Sequence, residues 1–141
     1  LFAFKLGGHG ENADIEPLWK RVDDNPQRIG SGVIHQGCFY IVNENGVAQC
    51  YELATGKETW KARLPVGGTY WASLIVADDK IYAFNQSGKA TLFAADPTRF
   101  KFLAENECGE GTNATPAFSG GQIFYRGYST LLCISEQRSS E

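Results

Sequence analysis

The chain has 141 residues, enough for one domain with a sizeable core. Aromatic residues make up 13% and charged residues 21%, a globular composition that excludes a disordered chain. A net charge of −3 offers no basic face to nucleic acid, and the apolar runs are only strand-length, which argues against membrane insertion.

The first element is Leu1 to Leu6, a strand of alternating apolar residues. It opens without Met, and the chain has none, so it reads as an internal or C-terminal fragment of something longer. A polar loop follows from Gly7 to Pro17. Its acids and Asn12 offer oxygen ligands of the kind calcium takes, but their spacing matches no calcium loop. Leu18 to Val22 is the next strand, centred on Trp19.

Four strands then run to Pro65. Gly30 to Gln36 is lettered a, Cys38 to Val42 b, Val47 to Leu53 c and Glu58 to Leu64 d. Asn43-Glu44-Asn45-Gly46 is a hairpin turn whose Asn and Gly accept positive φ, and Thr55-Gly56-Lys57 is a second turn. The set recurs. Trp71 to Ala77, Lys80 to Asn85, Lys89 to Ala94 and Phe100 to Glu105 repeat a to d, with Asp78-Asp79 as the a-to-b turn. Ala114 to Ser119, Gln122 to Arg126 and Thr130 to Ser135 repeat a to c, with Gly120-Gly121 as the turn. Gln137 to Glu141 is a polar tail.

The spacing is regular. Tyr40, Tyr82 and Phe124 lie 42 positions apart, as do Gly46 and Gly88. A second marker steps from Trp19 to Trp60 by 41 and from Trp60 to Phe102 by 42, which makes Phe102 the third repeat's counterpart of Trp. A repeat of about 40 to 50 residues built only of strands marks a β-propeller blade. The expected fold is therefore all-β, a partial propeller of four-stranded antiparallel blades. The blades fall at about 1–25 (strands c and d), 26–66, 67–109 and 110–135 (strands a to c), with 136–141 as tail.

The segment from Cys50 through Glu52, Thr55 and Gly56 to Trp60 resembles the repeat of pyrroloquinoline-quinone-like (quinoprotein-like) propellers. Their pattern is roughly Ala-x-Asp-x-x-Thr-Gly-x-x-x-Trp. Cys50 stands at the Ala and Glu52 at the Asp, while Thr55, Gly56 and Trp60 match. Thr and Gly close the tight turn and Trp packs between blades, so Glu52, Thr55, Gly56, Trp60 and Trp19 form a blade-docking motif. The first repeat keeps only Trp19, and the third lacks Thr-Gly. The resemblance covers about Leu1 to Ser135 and implies an extracytoplasmic (periplasmic or cell-surface), bacterial-type protein.

The catalytic members of that family hold quinone and calcium at the centre of an eight-bladed ring, with a stacking Trp, a carboxylate, an Asn and an Asp base. Some add a Cys-Cys pair. This chain has no such pair, and no catalytic, cofactor or metal residue can be assigned in it. The four cysteines, Cys38, Cys50, Cys108 and Cys133, form no C-x-x-C, and with His9 and His35 they make no zinc spacing. Cys50 and Cys133 fall at similar points of two repeats and read as small buried hydrophobes.

The remaining candidates are loops. Gly68, Thr69, Tyr70 and Trp71 form a possible axial binding surface with Trp71 as a stacking platform, although inter-strand packing is its simpler use. Glu105, Glu107 and Glu110 around Cys108 read as a solvated connection. The expected function is a non-catalytic binding or scaffold module of a larger repeat protein. Its partners would be the missing blades, a second copy of itself, or a peptide or protein. The alternatives are a fragment of a quinone-dependent dehydrogenase, which would need pyrroloquinoline quinone (PQQ) and calcium, and the sensor propeller of a membrane kinase.

Overall fold

The computed structural model describes residues 1–5, 16–22 and 29–135. The polar loop from Gly7 to Pro17 and the polar tail lie largely outside these residues. Thirteen strands are described, all paired antiparallel, in four separate sheets. The first sheet pairs β1 (Phe2–Phe4) with β2 (Pro17–Lys20). The second runs β3 (Val33–His35), β4 (Cys38–Val42), β5 (Val47–Glu52), β6 (Glu58–Arg63). The third runs β7 (Ile75–Ala77), β8 (Lys80–Phe84), β9 (Lys89–Ala94), β10 (Phe102–Glu107). The fourth runs β11 (Ala117–Ser119), β12 (Gln122–Arg126), β13 (Leu131–Ile134). Each sheet is a meander of neighbours in sequence, the topology of a propeller blade.

The turns explain why each meander forms. Gln36 and Gly37, Asp78 and Asp79, and Gly120 and Gly121 all have positive φ, so each a-to-b hairpin is a two-residue turn matching the right-handed strand twist. The b-to-c turns work differently from expectation. Among the residues of Asn43-Glu44-Asn45-Gly46, only Gly46 takes positive φ. Asn43 is instead a buried staple: its Oδ1 accepts the backbone N–H of Asn45 and Val47. Asn85 does the same for Ser87 and Lys89.

Strand a is shorter than expected in every blade, because its leading residues bond across to the neighbouring blade. The Leu74 N–H donates to the Ser31 carbonyl, and the Ser31 N–H to Ser73 Oγ at 3.0 Å. The Ser73 N–H donates to Thr115 Oγ1 at 2.8 Å, one repeat further on. Between blades two and three lies a buried core that includes Tyr40, Cys50, Leu64, Tyr70, Ile81 and Phe93. A smaller one between blades three and four includes Phe84, Cys108 and Tyr125.

Strand d of the third blade starts two residues late. Trp60 lies opposite Cys50, and Trp19 opposite Ala3. Leu92 of β9 corresponds to Cys50, since both face the b-strand tyrosine, and its partner on β10 is Ala104. Phe102 lies opposite Phe93, in the register of Glu58. The reading of Phe102 as the counterpart of Trp60 is therefore corrected: Ala104 holds that place. A longer c-to-d turn at Asp96-Pro97-Thr98-Arg99 slides β10 along, and a shorter connection before β11 restores the step. All three d strands carry the same irregularity at this point, a bulge that leaves Leu18, Thr59 or Leu103 without an opposite residue.

Candidate functional site

The c-to-d turn of the second blade is built by its own side chains. Thr55 Oγ1 donates to Glu52 Oε2 at 2.5 Å, and the Lys57 N–H donates to Thr55 Oγ1 at 3.2 Å. The Gly56 N–H closes the turn on the Glu52 carbonyl at 2.8 Å. Gly56 has φ +69°, and a Cβ there would lie 2.5 Å from Cδ2 of Trp19. Glycine is required twice over, for the backbone and for the indole of the preceding blade. Trp19 Nε1 donates to the Leu53 carbonyl at 2.8 Å, and Arg21 reaches the Gly56 carbonyl at 3.0 Å. The turn is thus the socket into which the first blade plugs.

Trp60 repeats the arrangement one blade on. Its Nε1 donates to the Asp96 carbonyl at 2.8 Å in the third blade's c-to-d turn. Its ring meets Tyr40 at 6.1 Å, Phe93 at 6.3 Å and Phe100 at 5.7 Å between centroids. Such tilted and edge-on aromatic contacts stabilise beyond simple area burial. Tyr40 sits opposite Cys50 beneath the indole. Burial raises the Tyr40 phenol well above its ordinary value and pushes the Cys50 thiol up to about 11. A second bridge flanks this interface: His35 Nε2 and Gln36 Nε2 both meet Asp79 Oδ1, at 2.7 and 3.1 Å.

The loop expected to be an axial binding surface is partly internal. Gly68 is exposed, with φ +126°. Thr69 is half-buried, and its carbonyl accepts the Gln86 N–H. Tyr70 is 1% exposed; its hydroxyl donates to the Val66 carbonyl and meets Thr91 Oγ1 at 3.1 Å. Tyr70 is therefore a core residue, and the reading of it as binding surface is corrected. Trp71 is half-buried and precedes β7, with its Nε1 buried and unpaired. Asn85 fixes the loop by donating to the Gly67 carbonyl.

Two other expectations change. Glu110 is no solvated spacer: its carboxylate accepts the hydroxyls and backbone N–H groups of Ser129 and Thr130, the longest at 3.1 Å. The Thr130 and Ser129 hydroxyls hold its carboxyl down at about 2. Cys133 is exposed on β13, unlike buried Cys50, because no further strand covers it among the described residues. The staples Asn43 and Asn85 were missed as buried residues; their matching places one repeat apart were the available signal.

Calcium needs several converging oxygens, and no group of three His, Cys, Asp or Glu is gathered among the described residues. Tyr70 is sealed in the core.

These antiparallel meanders and their indole sockets define a β-propeller fold. No family model and no curated protein sequence matches the chain. Solved structures do. BamB from Moraxella catarrhalis matches with a TM-score of 0.61 at 14% identity, covering 84% of this chain and 36% of that one. Quinohemoprotein alcohol dehydrogenase from Comamonas testosteroni matches with a TM-score of 0.54 at 14% identity, over 72% of this chain and 17% of that one. A europium-containing methanol dehydrogenase matches at 0.50 and 17% identity, over 66% and 19%. The chain thus spans about a third of BamB and under a fifth of each dehydrogenase. At these identities the likeness carries the fold.

Proposed function

We propose that the chain is a non-catalytic binding or scaffold segment of a larger, extracytoplasmic propeller. The observation that carries this reading is the contrast between covered and open sheet faces. The second and third blades bury most of β5 and half of β9. At one end Phe2, Phe4 and Leu18 are exposed, and at the other Leu131, Leu132 and Ile134. Apolar groups left on the outer faces of stacked sheets mark association surfaces. Their natural occupants are further blades of a parent chain, and for the isolated chain a second copy of itself. The likeness to BamB supports a protein partner, and the fold neighbours as a group support a location outside the cytoplasm.

Mass measurement by analytical ultracentrifugation tests the reading. The 141-residue chain is expected to self-associate at micromolar concentration, and replacing Leu131 and Ile134 by Lys should return it to the monomer. A stable monomer at all concentrations would sink the association. The likeness to two dehydrogenases favours a second reading, a fragment of a quinone enzyme. A saturable rise in melting temperature with PQQ and calcium would put it first, because a ligand bound only by the folded state must stabilise it.

A further inference from the structure

Two of the four cysteines come together inside the second blade. Cys38 opens β4, and Cys50 lies in the middle of β5. Tyr40 faces Cys50 across the two strands, and Cys38 faces Glu52. Side chains two apart on a strand share a face, so Cys38 and Cys50 are diagonal neighbours on the face that packs against blade three. Both are buried there, at 7% and 0% exposure, and their thiols hydrogen-bond to each other. The Tyr40 hydroxyl belongs to the same cluster. It is buried without a hydrogen-bond partner, and both sulfurs lie close enough to act on it through their charge. A buried hydroxyl left unpaired costs free energy, so a group that accepts from it there is favoured.

The spacing decides what the pair can hold. Diagonal neighbours sit about 7–8 Å apart, whereas a relaxed disulfide needs about 4.4–6.8 Å between its Cα atoms. One atom placed between the sulfurs removes the mismatch. Zinc is a poor fit, since its sites take four ligands and no third His, Cys, Asp or Glu gathers with the pair among the described residues. Calcium and magnesium need oxygen ligands. Two thiols alone suit a soft ion in linear, two-coordinate geometry, and thiolate sulfur selects copper(I).

We propose that Cys38 and Cys50 bind one copper(I) ion between them, inside blade two. Two S–Cu bonds form, two S–H bonds break and both protons pass to water, while no electron moves. The bound centre carries one negative charge in an apolar core, and the unpaired Tyr40 hydroxyl donates to it. The Thr59 hydroxyl, which donates to the Cys50 carbonyl at 3.3 Å, also reaches the Cys50 sulfur and adds a second donor. Entry is short, because Cys38 directly follows the exposed Gln36-Gly37 turn. The site lies within a complete four-stranded blade and goes beyond the binding-module reading.

The test uses the 141-residue chain carrying Cys133→Ser, which removes the exposed thiol. Copper(I) is titrated without oxygen against a chromophoric copper(I) chelator, and the loaded protein is followed by thermal unfolding and X-ray absorption. One equivalent should bind, raise the melting temperature and show two sulfur neighbours without nitrogen. Cys38→Ala and Cys50→Ala should each weaken binding by about a hundredfold or more, and Tyr40→Phe by about tenfold with the stoichiometry kept. If an alanine variant fails to fold, the sulfur count from X-ray absorption still decides. No binding, unchanged affinity in both alanine variants, or nitrogen in the copper shell overturns the proposal. A Cys38–Cys50 disulfide formed by oxidised glutathione overturns it too, because the strands would then close the gap unaided. None of these failures bears on self-association through the end faces.

Discussion

Two junctions of this molecule are made from the same parts and end differently. Between blades two and three, Trp60 fills the outer corner, Asp96 takes its N–H, and Asp79 ties the His35 and Gln36 side chains across the gap. Between blades three and four, Ala104 and Gly121 stand in those places and the corner is a pocket. The inner halves stay alike. The Ser31 N–H reaches Ser73 Oγ at the first junction, and one repeat later the Ser73 N–H reaches Thr115 Oγ1 at the second. The inner spokes therefore fix the packing of successive blades, while the outer corner is free to be filled, bridged or left open.

The largest test of that division is Trp60→Ala. Trp60 is half-buried, so its loss should destabilise the chain by about 2–3 kcal/mol, less than a fully buried aromatic would. Denaturant unfolding would measure it. A loss below about 1 kcal/mol would show that the outer corner contributes little even where it is filled. The glycine pair comes next. Gly56→Ala meets the Trp19 ring as well as an unfavourable φ, whereas Gly121→Ala meets the φ cost alone. The first should cost about 2 kcal/mol or more and the second about 1 kcal/mol. Equal costs would mean that Trp19 does not need the close approach.

Glu110 sharpens the comparison from the inner side. Its folded carboxyl sits at about 2, below the ordinary value of 4.5, so its contribution is present above that ordinary value and is lost as pH falls towards 2. The melting temperature of the wild type should therefore exceed that of Glu110→Gln at pH 7, and the gap should close towards pH 2. A gap that stays constant with pH would remove the carboxylate from the account. The smallest effect belongs to Asp79→Ala. Asp79 is exposed, and losing its bond to His35 should cost no more than about 1 kcal/mol by thermal unfolding.

Much of the fold was legible because strands b and c carry their signal locally. Tyr40, Tyr82 and Phe124 alternate with buried partners, and the two-residue turns beside them hold residues that tolerate positive φ. Strand d of the third blade was misread for a definite reason. Phe102 is a large aromatic at the right count, but the count ran through a turn that had lengthened, and a register cannot be read across a turn of changed length. Tyr70 looked like loop surface because its burial depends on partners brought to it by folding, among them Thr91 on β9. Cys133 matched Cys50 in position and differed in exposure, since exposure of a strand is decided by what lies next to it. The pocket was invisible for the same reason: residues of two blades line it, and Gly121 puts no side chain into its wall.

The bonds joining Ser31 to Ser73 and Ser73 to Thr115 link residues one full repeat apart. They act as a ruler laid along the gene product. Any residue gained within a repeat must be given back before the next mark, as the lengthened turn before β10 and the shortened connection after it do. Insertions in such a chain should thus be accepted in compensating pairs and rejected singly, so the history of its loops is written in matched edits.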